Sequence, residues 1–364
     1  MGIKLGNICR FQSGGTPSKG RPEFFNGTIP WITTTALNGG NIGKESAVDW
    51  ISEQAIKESA AKIVPAFSIM VGTRVGVGKV AINTMSMSTS QDIISLLDID
   101  ESIWSKAFLC KFLQAKGTFL NAQARGATIK GIKIDVLSEL ELPEIPIEEQ
   151  QHISQIIDKV KTTIAIRQSQ LQKLDELVKA RFVELFGDPE LNPRGLPVLP
   201  WNAVFLTTTG KLDSNAMVEN GRYPFFTCAK ESYKIDSYAF DCEALLLAGN
   251  NAAGIYDVKH YKGKFNAYQR TYVLRLMNEK WSYILFKRQL EDKLQYLQSQ
   301  SKGTNTRYLT LGILNELRFV VPPVAEQEQF AAFVEQADKS KVTVQKALDE
   351  AQLLFDSLMQ KYFG

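Results

Sequence analysis

The segment Gly76-Val77-Gly78-Lys79 comes nearest to a ligand-binding motif, because a glycine-rich turn followed by lysine can hold a nucleotide phosphate. The earlier glycine of that motif would fall on Thr73, however, and Val80 stands where serine or threonine should bind magnesium. The chain has two histidines, His152 and His260, predicted to lie at a helix start and in a charged loop. Without a Cys/His cluster, the sequence argues against a zinc site and a Cys-His nucleophile.

The sequence also lacks the residues for adenine methylation and for paired-cysteine chemistry. The adenine methyltransferase signature Asn-Pro-Pro-aromatic is absent, because Asn192-Pro193-Arg194 fails at its third and fourth positions. The four cysteines (Cys9, Cys110, Cys228, Cys242) form no CxxC pair and fit a reducing compartment.

No apolar run approaches the ~20 residues of a membrane span, and the first residues lack a secretory signal. We expect a cytoplasmic protein with no cofactor, metal or membrane contact of its own.

Charge alternates along the chain in four blocks. Residues 1–125 carry 13 basic and 9 acidic side chains, a net charge of +4, whereas residues 126–188 carry 8 and 11, a net charge of −3. Residues 189–302 return to +4, with 15 basic and 11 acidic, and residues 303–364 carry 6 and 8, or −2. This alternation is expected if the two basic segments, 1–125 and 189–302, bind a polyanion and the two acidic segments between and after them do not.

A gapless internal repeat organises the chain: residues 126–187 align with 303–364 at an offset of 177. The identical residues are Gly126/Gly303, Leu137/Leu314, Glu139-Leu140/Glu316-Leu317, Pro146/Pro323, Glu149-Gln150/Glu326-Gln327 and Phe186-Gly187/Phe363-Gly364. In each copy a proline-marked turn precedes acidic residues, a pattern that favours a helix start. A long helix is therefore predicted in each copy.

Both predicted helices have a seam with heptad spacing. The first seam contains Ile157, Val160, Ile164, Arg167, Leu171, Leu174, Val178, Arg181 and Leu185, and the second contains Val334, Ala337, Lys341, Val344, Leu348, Ala351, Phe355, Leu358 and Tyr362. This spacing suits pairing with another helix, so we predict that the two helices pack on each other antiparallel. Arg167, Arg181 and Lys341 are interpreted as charged groups on snorkelling stems, with register fixing or partner contact as the alternative.

The segments before the two helices look like diverged copies of one mixed domain. Pro30-Trp31-Ile32-Thr33 resembles Pro224-Phe225-Phe226-Thr227, and Gly72-Thr73-Arg74 resembles Gly249-Asn250-Asn251. Further similarities are Gln91 and Gln269, the strand-like runs 93–97 and 271–276 that follow them, and amphipathic helices over about 102–116 and 279–298. Each copy is therefore predicted to contain short strands, polar loops and a helix or two.

The predicted fold is α+β: two mixed α/β domains, or arms, separated by two long helices paired as an antiparallel coiled coil, with a pseudo-twofold internal repeat. The predicted segments are a first arm, residues 1–141, a central helix region, 142–188, a second arm, 189–318, and a distal helix region, 319–364. The boundary near 189 follows from four prolines between Pro189 and Pro200, which end the first helix.

Several motifs in order give the chain a resemblance to a known family over nearly its whole length. They are SGGTPS (13–18), IPWITTTAL (29–37), GTRVGVGKVAI (72–82) with Gln91 downstream, LPEIPIEEQQHIS (142–154), LFGDPELNPRG (185–195) and VVPPVAEQEQF (320–330). With these motifs the chain resembles the specificity subunit of type I restriction-modification enzymes. The second arm departs from the pattern, because it lacks GGTPS and has Phe225-Phe226 where the first arm has Trp31-Ile32.

The resemblance implies a non-catalytic subunit with two target-recognition domains. Each domain would read one half of an asymmetric, bipartite site in double-stranded DNA, and the paired helices would set the spacer. The implied partners are two methyltransferase (modification) subunits, which bind S-adenosylmethionine and methylate adenine, and a restriction or motor subunit that cleaves DNA. The heptad core 157–185 would be ~43 Å long, against ~34–36 Å for one DNA turn.

For such a subunit, the loops supply side chains that hydrogen-bond with base edges. The base-reading candidates are Thr33, Thr34, Thr35, Asn38, Arg74 and Gln91 in the first arm, and Thr227, Lys230, Asn250, Asn251, Gln269 and Arg270 in the second. The candidates for DNA backbone contact are Lys19, Arg21, Lys79, Arg125, Lys130, Lys262, Asn305 and Arg307. The alternative interpretation makes these residues strand ends and solvated surface, and Trp31, Phe225 and Phe226 are predicted to be core.

Two other functions remain open on the sequence alone. One is a non-enzymatic coiled-coil scaffold whose arms bind protein or glycan, and the other is a fused nuclease or methyltransferase. DNA binding that falls steeply with salt would favour the DNA reader over the scaffold, because counterion release dominates contacts with DNA. Activity of the purified chain alone would favour the enzyme.

Overall fold

The computed structural model describes residues 2–126, 130–189 and 191–364. The chain forms two compact units: unit 1 is Met1–Arg167 with Ala347–Gly364, and unit 2 is Gln168–Lys346. Each unit therefore contains one arm together with parts of both long helices. These units divide both helix regions, so they cut across the four segments predicted from the sequence.

The first arm and first long helix contain eleven strands and five helices among the described residues. They are β1 (Ile3–Lys4), β2 (Arg10–Ser13), β3 (Ile29–Ile32), β4 (Asn41–Ile42), β5 (Asp49–Ile51), α1 (Glu53–Glu58), β6 (Ile63–Val64), β7 (Ile69–Gly72), β8 (Val80–Asn83), β9 (Met87–Thr89), β10 (Ile93–Leu97), α2 (Lys106–Ala115), α3 (Gly117–Gln123), α4 (Ile134–Ser138), β11 (Glu141–Leu142) and α5 (Ile147–Phe186).

The rest of the chain repeats most of this order. Its elements are β12 (Val198–Pro200), α6 (Trp201–Val204), β13 (Phe205–Thr209), β14 (Tyr223–Phe226), β15 (Tyr233–Ile235), β16 (Phe240–Ala248), β17 (Asn250–Asn251), β18 (Val258–Ala267), β19 (Thr271–Leu276), α7 (Tyr283–Asp292), α8 (Leu294–Gln300), β20 (Arg307–Tyr308), α9 (Leu311–Asn315), β21 (Arg318–Val320) and α10 (Val324–Phe363). Single 3₁₀ turns occur at Leu5–Asn7, Pro22–Phe25, Thr34–Ala36, Lys44–Ser46 and Ser214–Ala216.

The sheets of the two arms follow one pairing scheme. In the first arm β2, β10, β7, β8 and β4 form one sheet, while β5, β3, β9 and β6 form another. In the second arm a single sheet has the order β13, β19, β16, β18, β14 and β15. The ten-residue β18 pairs antiparallel with β16 and parallel with β14, the two pairings that β8 and β9 divide between them in the first arm. The mixed α/β fold predicted from the sequence is confirmed.

Strand positions in the arms were predicted more closely than helix ends. The strands β10 and β19 occupy the predicted runs 93–97 and 271–276. The helices α2 and α7 begin later than predicted, because Ser105 and Ser282 cap them by accepting hydrogen bonds from the third residue of each helix. His260 lies within β18, so its predicted loop position is wrong.

The helices at the end of each arm share both spacing and hydrogen bonds. From α2 and α7 through α5 and α10, corresponding helices begin and end 177 residues apart. Gln150, fully buried, accepts a hydrogen bond from the backbone N–H of Ser105 at 2.9 Å. Gln327, also fully buried, accepts one from the backbone N–H of Ser282 at 3.0 Å. The repeated Glu-Gln motif therefore ties the start of each long helix to the cap of a helix in its arm.

Unit 1 contains the start of α5 and the end of α10. Phe363, near the end of α10, packs on Phe108 with ring centroids 5.1 Å apart. The ammonium of Lys161, in the first half of α5, lies 5.6 Å from the ring centroid of Phe355 in α10. Ile157 belongs to the same buried core. Within this unit the beginning of one helix thus packs near the end of the other.

Unit 2 contains the opposite halves of the same helices. Phe182 and Phe186, at the end of α5, lie 5.5 and 5.7 Å from the ring of Phe330, near the start of α10. Further along, Asp175 of α5 pairs with Lys341 of α10 at 2.7 Å. Residue numbers therefore fall along α10 as they rise along α5. Among the described residues, no helix is long and apolar enough to cross a membrane.

Candidate nucleic-acid interface

The glycine-rich segment of the first arm forms a tight turn between β7 and β8. The backbone N–H of Gly72 donates to Lys79 O at 2.8 Å, and that of Gly78 donates to Gly72 O at 3.0 Å. The glycines thus close the turn on itself, and Arg74 and Lys79 lie exposed on it. The turn presents cations rather than a phosphate cradle of backbone donors.

A second turn, between β9 and β10, lies against the first. The backbone N–H of Thr73 donates to Asp92 O at 2.8 Å, and the guanidinium of Arg74 lies 3.8 Å from the carboxylate of Asp92. Gln91 is exposed on this second turn. The backbone N–H of Ser90 donates to Ile32 O, which adds the end of β3. The structure therefore brings Arg74 and Gln91 together with the threonines after β3.

Two close backbone approaches hold these turns in place. A Cβ on Gly14 would lie 2.2 Å from Ser90 O, and a Cβ on Gly15 would lie 2.1 Å from Ala60 O. The glycines of the SGGTPS motif therefore allow the backbone to pack closely behind the β9–β10 turn. In the second arm a Cβ on Gly210 would lie 1.8 Å from Ala267 O. Gly210 takes the place of Gly14 although the second arm lacks that motif.

A third loop completes the cluster in the first arm. Arg125 and Gly131 exchange backbone hydrogen bonds of 2.9 and 3.0 Å, and Ile132 donates its N–H to Thr73 O at 2.8 Å. We call residues 125–131 the first closed loop, of which 127–129 lie outside the described residues. Its Arg125, with Arg74, lines a cleft of about 780 Å³ to which Gln123, Lys133 and Asp135 also contribute. The sequence analysis did not single out Lys133.

The second arm forms the corresponding cluster. Lys302 and Tyr308 exchange backbone hydrogen bonds of 3.1 and 2.8 Å, and Leu309 donates its N–H to Gly249 O at 2.8 Å. We call residues 302–308 the second closed loop. It joins the sheet edge next to it, because Asn250 and Asn251 pair with Tyr308 and Arg307.

The turn between β18 and β19 belongs to this second cluster as well. The backbone N–H of Gly249 donates to Arg270 O at 2.8 Å, and Gln269 and Arg270 are exposed. Asn305 and Arg307 lie exposed on the second closed loop. A neutral cleft of about 510 Å³ opens beside the cluster, lined by Asn250 and Thr227 among others. Lys230, exposed, follows that lining segment in sequence.

Two predicted base readers are buried, which is a correction to the sequence analysis. Thr34 is 4% exposed, beneath Gly72, and Thr227 is 6% exposed, with its hydroxyl accepting a hydrogen bond from the N–H of Ala229. Neither hydroxyl is placed for base contact. Thr33 and Thr35 are less buried and share a hydrogen bond of 2.8 Å.

Some predicted backbone contacts lie apart from the clusters or already have partners. Arg21 pairs with Glu23 and Glu58 at 2.7 and 2.8 Å, so two carboxylates offset its charge. Lys262 lies within β18 and pairs with Glu243 at 3.0 Å. Burial alone would raise the pKa of Glu243, but hydrogen bonds from Lys262 and His260 hold that pKa below its ordinary value. Lys262 is thus occupied in a strand-to-strand pair.

The remaining candidates of the first arm lie at its surface. Lys19 and Lys130 are exposed. Asn38 is exposed too, and its side-chain oxygen accepts a hydrogen bond from the N–H of Gly40. The predicted core assignments are confirmed, since Trp31, Phe225 and Phe226 are buried.

The residues of the predicted seam are shielded from solvent along both helices. Every seam residue is buried or half-buried: Ile157, Val160, Ile164, Arg167, Leu171, Leu174, Val178, Arg181 and Leu185 in α5, and Val334, Ala337, Lys341, Val344, Leu348, Ala351, Phe355, Leu358 and Tyr362 in α10. Lys341 does not extend into solvent, since it bonds Asp175 across the helices and Asp338 along its own. Of the two interpretations of Lys341, this contact favours a role in fixing register.

Two of the four thiols are unsuited to nucleophilic chemistry, and the potential metal ligands among the described residues are scattered. Burial raises the pKa of the Cys9 thiol to about 12 and that of Cys110 to about 11, so both are neutral near pH 7 and offer no thiolate. No group of three or more His, Cys, Asp or Glu side chains in the described ranges could hold a metal ion. What the two arms share is a pair of polar clusters, which defines a binding protein with two similar domains.

Comparison with known proteins gives this class its family. A family model described as type I restriction modification DNA specificity domain matches residues 2–176 and 204–351, most of the chain and both arms. The chain belongs to this family. The resemblance found in the sequence motifs is confirmed.

Individual relatives agree with the family assignment. The MjaIX specificity subunit of Methanocaldococcus jannaschii is 24% identical over an alignment of 399 positions, which covers 98% of this chain and 91% of that subunit. The EcoDI specificity subunit of Escherichia coli is 36% identical over 160 residues, covering 42% of this chain and 35% of that subunit. These relatives are named as specificity subunits, so the prediction of a non-catalytic specificity subunit is confirmed.

One solved structure shows the fold. The crystal structure of the S subunit of a type I restriction-modification system from M. genitalium matches with a TM-score of 0.67 at 17% identity. The match covers 100% of this chain and 96% of that chain. At this identity the likeness concerns the fold alone.

Proposed function

We propose that this chain is the DNA-recognition subunit of a type I restriction-modification complex, and that each arm reads one half of a bipartite site in double-stranded DNA. The observation that carries the proposal is the pair of polar clusters, which occupy the same place in the pairing scheme of both arms. In each, a glycine-closed strand end, a turn before the last sheet strand and a closed loop meet through backbone hydrogen bonds. Arg, Asn and Gln side chains on these loops suit major-groove readout.

The proposed base readers are polar members of the clusters that solvent reaches. In the first arm they are the exposed Arg74 and Gln91, and in the second the half-buried Asn250 with the exposed Gln269 and Arg270. The side-chain oxygen of Asn251 already accepts hydrogen bonds from the N–H groups of Ala253 and Ile255. Arg bonds guanine through two acceptors, whereas Asn and Gln bond adenine.

The hydrogen bonds of Thr73 and Gly249 make Arg74 structurally equivalent to Asn250, one residue before the match drawn from the sequence. Because an arginine in one arm matches an asparagine in the other, the two half-sites should differ. An asymmetric site follows from this difference.

We propose that the two long helices form an antiparallel coiled coil that sets the spacer between half-sites. Opposite residue order along α5 and α10 supports the pairing, as does the buried or half-buried seam on both helices. The heptad core of α5 is ~43 Å long at 1.5 Å per residue, slightly more than one DNA turn. The half-sites would therefore lie on one face of the duplex about one turn apart, in a pseudo-twofold arrangement that the 177-residue offset supports.

The proposed partners are two modification subunits that dock on the helices, together with a restriction or motor subunit. Leu177 on α5 and Leu354 on α10 support two docking positions, because they correspond at the 177 offset and each is 50% exposed. Val183 and Val342 in unit 2, and Leu353 in unit 1, add apolar surface that the chain leaves uncovered. S-adenosylmethionine would bind the modification subunits, and the complex would act in the cytoplasm.

The test is a map of N6-methyladenine in the genome of cells that express this chain with its modification partner. A split motif with an unread spacer is expected. A chain with one heptad inserted into each helix, in matched register, should lengthen the spacer by about 3 base pairs, since seven residues add ~10 Å and a base pair rises 3.4 Å. A contiguous motif in the first experiment, or altered half-sites in the second, would overturn the proposal.

A further inference from the structure

The two closed loops keep their charge through the repeat, whereas the neighbouring turns do not. Arg125 corresponds to Lys302 at the 177 offset, and Lys130 corresponds to Arg307. Each loop thus holds two cations, although arginine and lysine are exchanged at both positions. On the adjacent turns Arg74 matches Asn250 in the hydrogen-bond scheme, so a cation is replaced by an amide.

The described ends of the two loops also share their backbone geometry. Gly126 and Gly303 follow the first closing residue, and their φ angles of 143° and 97° lie in the region that favours glycine. Ile132 and Leu309 come just after the loops and donate to Thr73 and Gly249 in the glycine-closed strand ends. Both loops are therefore fixed at the same point beside the base-reading turns.

The cations of the loops lack carboxylate partners. Many basic residues of this chain form ion pairs, such as Arg10 with Asp98 and Arg194 with Glu326. Among the described residues, no ion pair involves any of the loop cations Arg125, Lys130, Lys302 and Arg307. The guanidinium of Arg307 donates to a carbonyl, that of Gln298, at 3.2 Å. These charges remain available to an anion.

The two halves of a bipartite site have different bases but the same phosphate backbone. A position that contacts bases is free to change its chemistry between the two arms, whereas a position that holds phosphate must keep a positive charge. The loop positions keep their positive charge, as a phosphate contact requires, whereas the Arg74/Asn250 position changes its chemistry, as a base contact is free to do.

From this we infer that Arg125 with Lys130 in the first arm, and Lys302 with Arg307 in the second, are matched clamps for backbone phosphates of DNA. Lys302 is then a phosphate-binding residue equivalent to Arg125. The inference rests on the proposed function and adds to it a division of labour within each cluster. Lys302 was not among the candidates from sequence, although the 177 offset from Arg125 leads directly to it. Each clamp contacts two phosphates, one for each cation.

The test measures how the affinity of the full chain, in complex with its modification partner, depends on salt. Two duplexes are used, one with the mapped methylation motif and one without it. The variants are Arg125→Gln with Lys130→Gln in one chain and Lys302→Gln with Arg307→Gln in another. Each phosphate contact contributes about 0.9 to the slope of log affinity against log salt, so each double variant should lower that slope by about 1.8 on both duplexes.

Control variants separate charge from fold. Lys44→Gln and Lys280→Gln remove exposed lysines that lie away from the clusters, and should leave the slope unchanged. The charge-preserving pair Lys302→Arg with Arg307→Lys should restore the parent slope, which a merely structural role of these residues would not predict. Thermal unfolding and the methylation motif should stay as in the parent.

Three outcomes would overturn the inference. A double variant whose slope equals that of the lysine controls would show that the loops hold no phosphate. A variant that relaxes one half of the methylation motif would make the loops base readers. Absence of salt-dependent DNA binding by the parent complex would overturn the proposed function itself and the inference with it. It differs from the first outcome, in which the parent, the lysine controls and the double variant all bind DNA with the same salt dependence.

Discussion

The first and second arms differ in how strictly they follow the internal repeat, and the difference separates framework from recognition. From α2 and α7 onward, the helices of the two halves correspond at a constant offset of 177. Earlier in the arms the offset changes, since Gly14 corresponds to Gly210, 196 residues later, and Pro30 to Pro224, 194 residues later. Loop lengths have diverged where the strands lead into recognition turns, while the elements that carry the long helices have kept their length.

The two clusters also differ in charge. The first arm places Arg74, Arg125 and Lys133 around one cleft. At the matching positions the second arm has Asn250, Lys302 and Thr310, so only one of the three cations is kept. The second arm has Arg270, however, where the first arm has Asp92. The two clusters therefore place their cations differently, which should give each half-site its own pattern of charged contacts.

The largest expected effect tests the shared packing behind the recognition turns. Alanine at Gly14 or Gly210 would place its Cβ 2.2 or 1.8 Å from a carbonyl oxygen. Such overpacking forces the backbone apart and should cost about 3 kcal/mol of stability, in the mutated arm only. Hydrogen exchange resolved by segment would measure it, with Gly20→Ala and Gly312→Ala, where the Cβ has room, as controls. Equal protection of both arms in either variant would contradict the matched role of these glycines.

The next effect tests the buried glutamines that tie each long helix to its arm. Gln150 also donates to Ile103 O and Ile145 O, whereas Gln327 donates to Pro322 O. Alanine leaves these groups without partners, so Gln150→Ala should cost on the order of 3 kcal/mol and Gln327→Ala about 2 kcal/mol. Chemical denaturation would rank the two variants, with Gln336→Ala on the exposed face of α10 as the control. A larger loss of stability in Gln327→Ala than in Gln150→Ala would contradict this expectation.

A third effect concerns the exposed leucines of the helices. Leu177→Asp and Leu354→Asp each place a charge on one proposed docking position, and each should weaken one modification subunit's binding about 10–100-fold. Mass measurement of the complex should then find one modification subunit where the parent binds two. Aspartate at Lys173, a neighbouring exposed position, provides a control. Loss of both subunits from a single variant would argue against two separate docking positions.

The smallest expected effect is a pH dependence of stability that concerns unit 2. The Arg194 guanidinium bonds Glu326 in unit 2 and holds the pKa of that carboxyl below its ordinary value. Since the folded pKa is depressed, this pair stabilises unit 2 above the ordinary glutamate pKa of about 4.3, and the stabilisation is lost as pH falls through the folded value. Arg194→Gln should slightly lower the unfolding midpoint at pH 7 and leave it unchanged at the lowest pH. An equal decrease at both values would contradict the pairing.

The sequence was informative wherever spacing carries physical meaning. A gapless repeat, proline-marked starts and heptads predicted both long helices, and apolar runs after Gln91 and Gln269 predicted two strands, because core packing imposes these patterns. The sequence did not indicate which side chains are buried after a strand end. Thr34 lies under the glycine turn, although Thr33 and Thr35 beside it are more exposed. The role of Gly210 was also missed, since a changed offset hides its match with Gly14.

The most direct test of two arms that read separate half-sites is the methylation map of two single variants. Arg74→Ala removes a proposed base contact from the first arm, and Asn250→Ala removes its counterpart from the second. Loss of one such contact costs about 1–3 kcal/mol of discrimination at one base pair. The account predicts that each variant relaxes one position, in a different half of the motif, with the spacer unchanged. Relaxation of the same half by both variants, or of neither half, would contradict it.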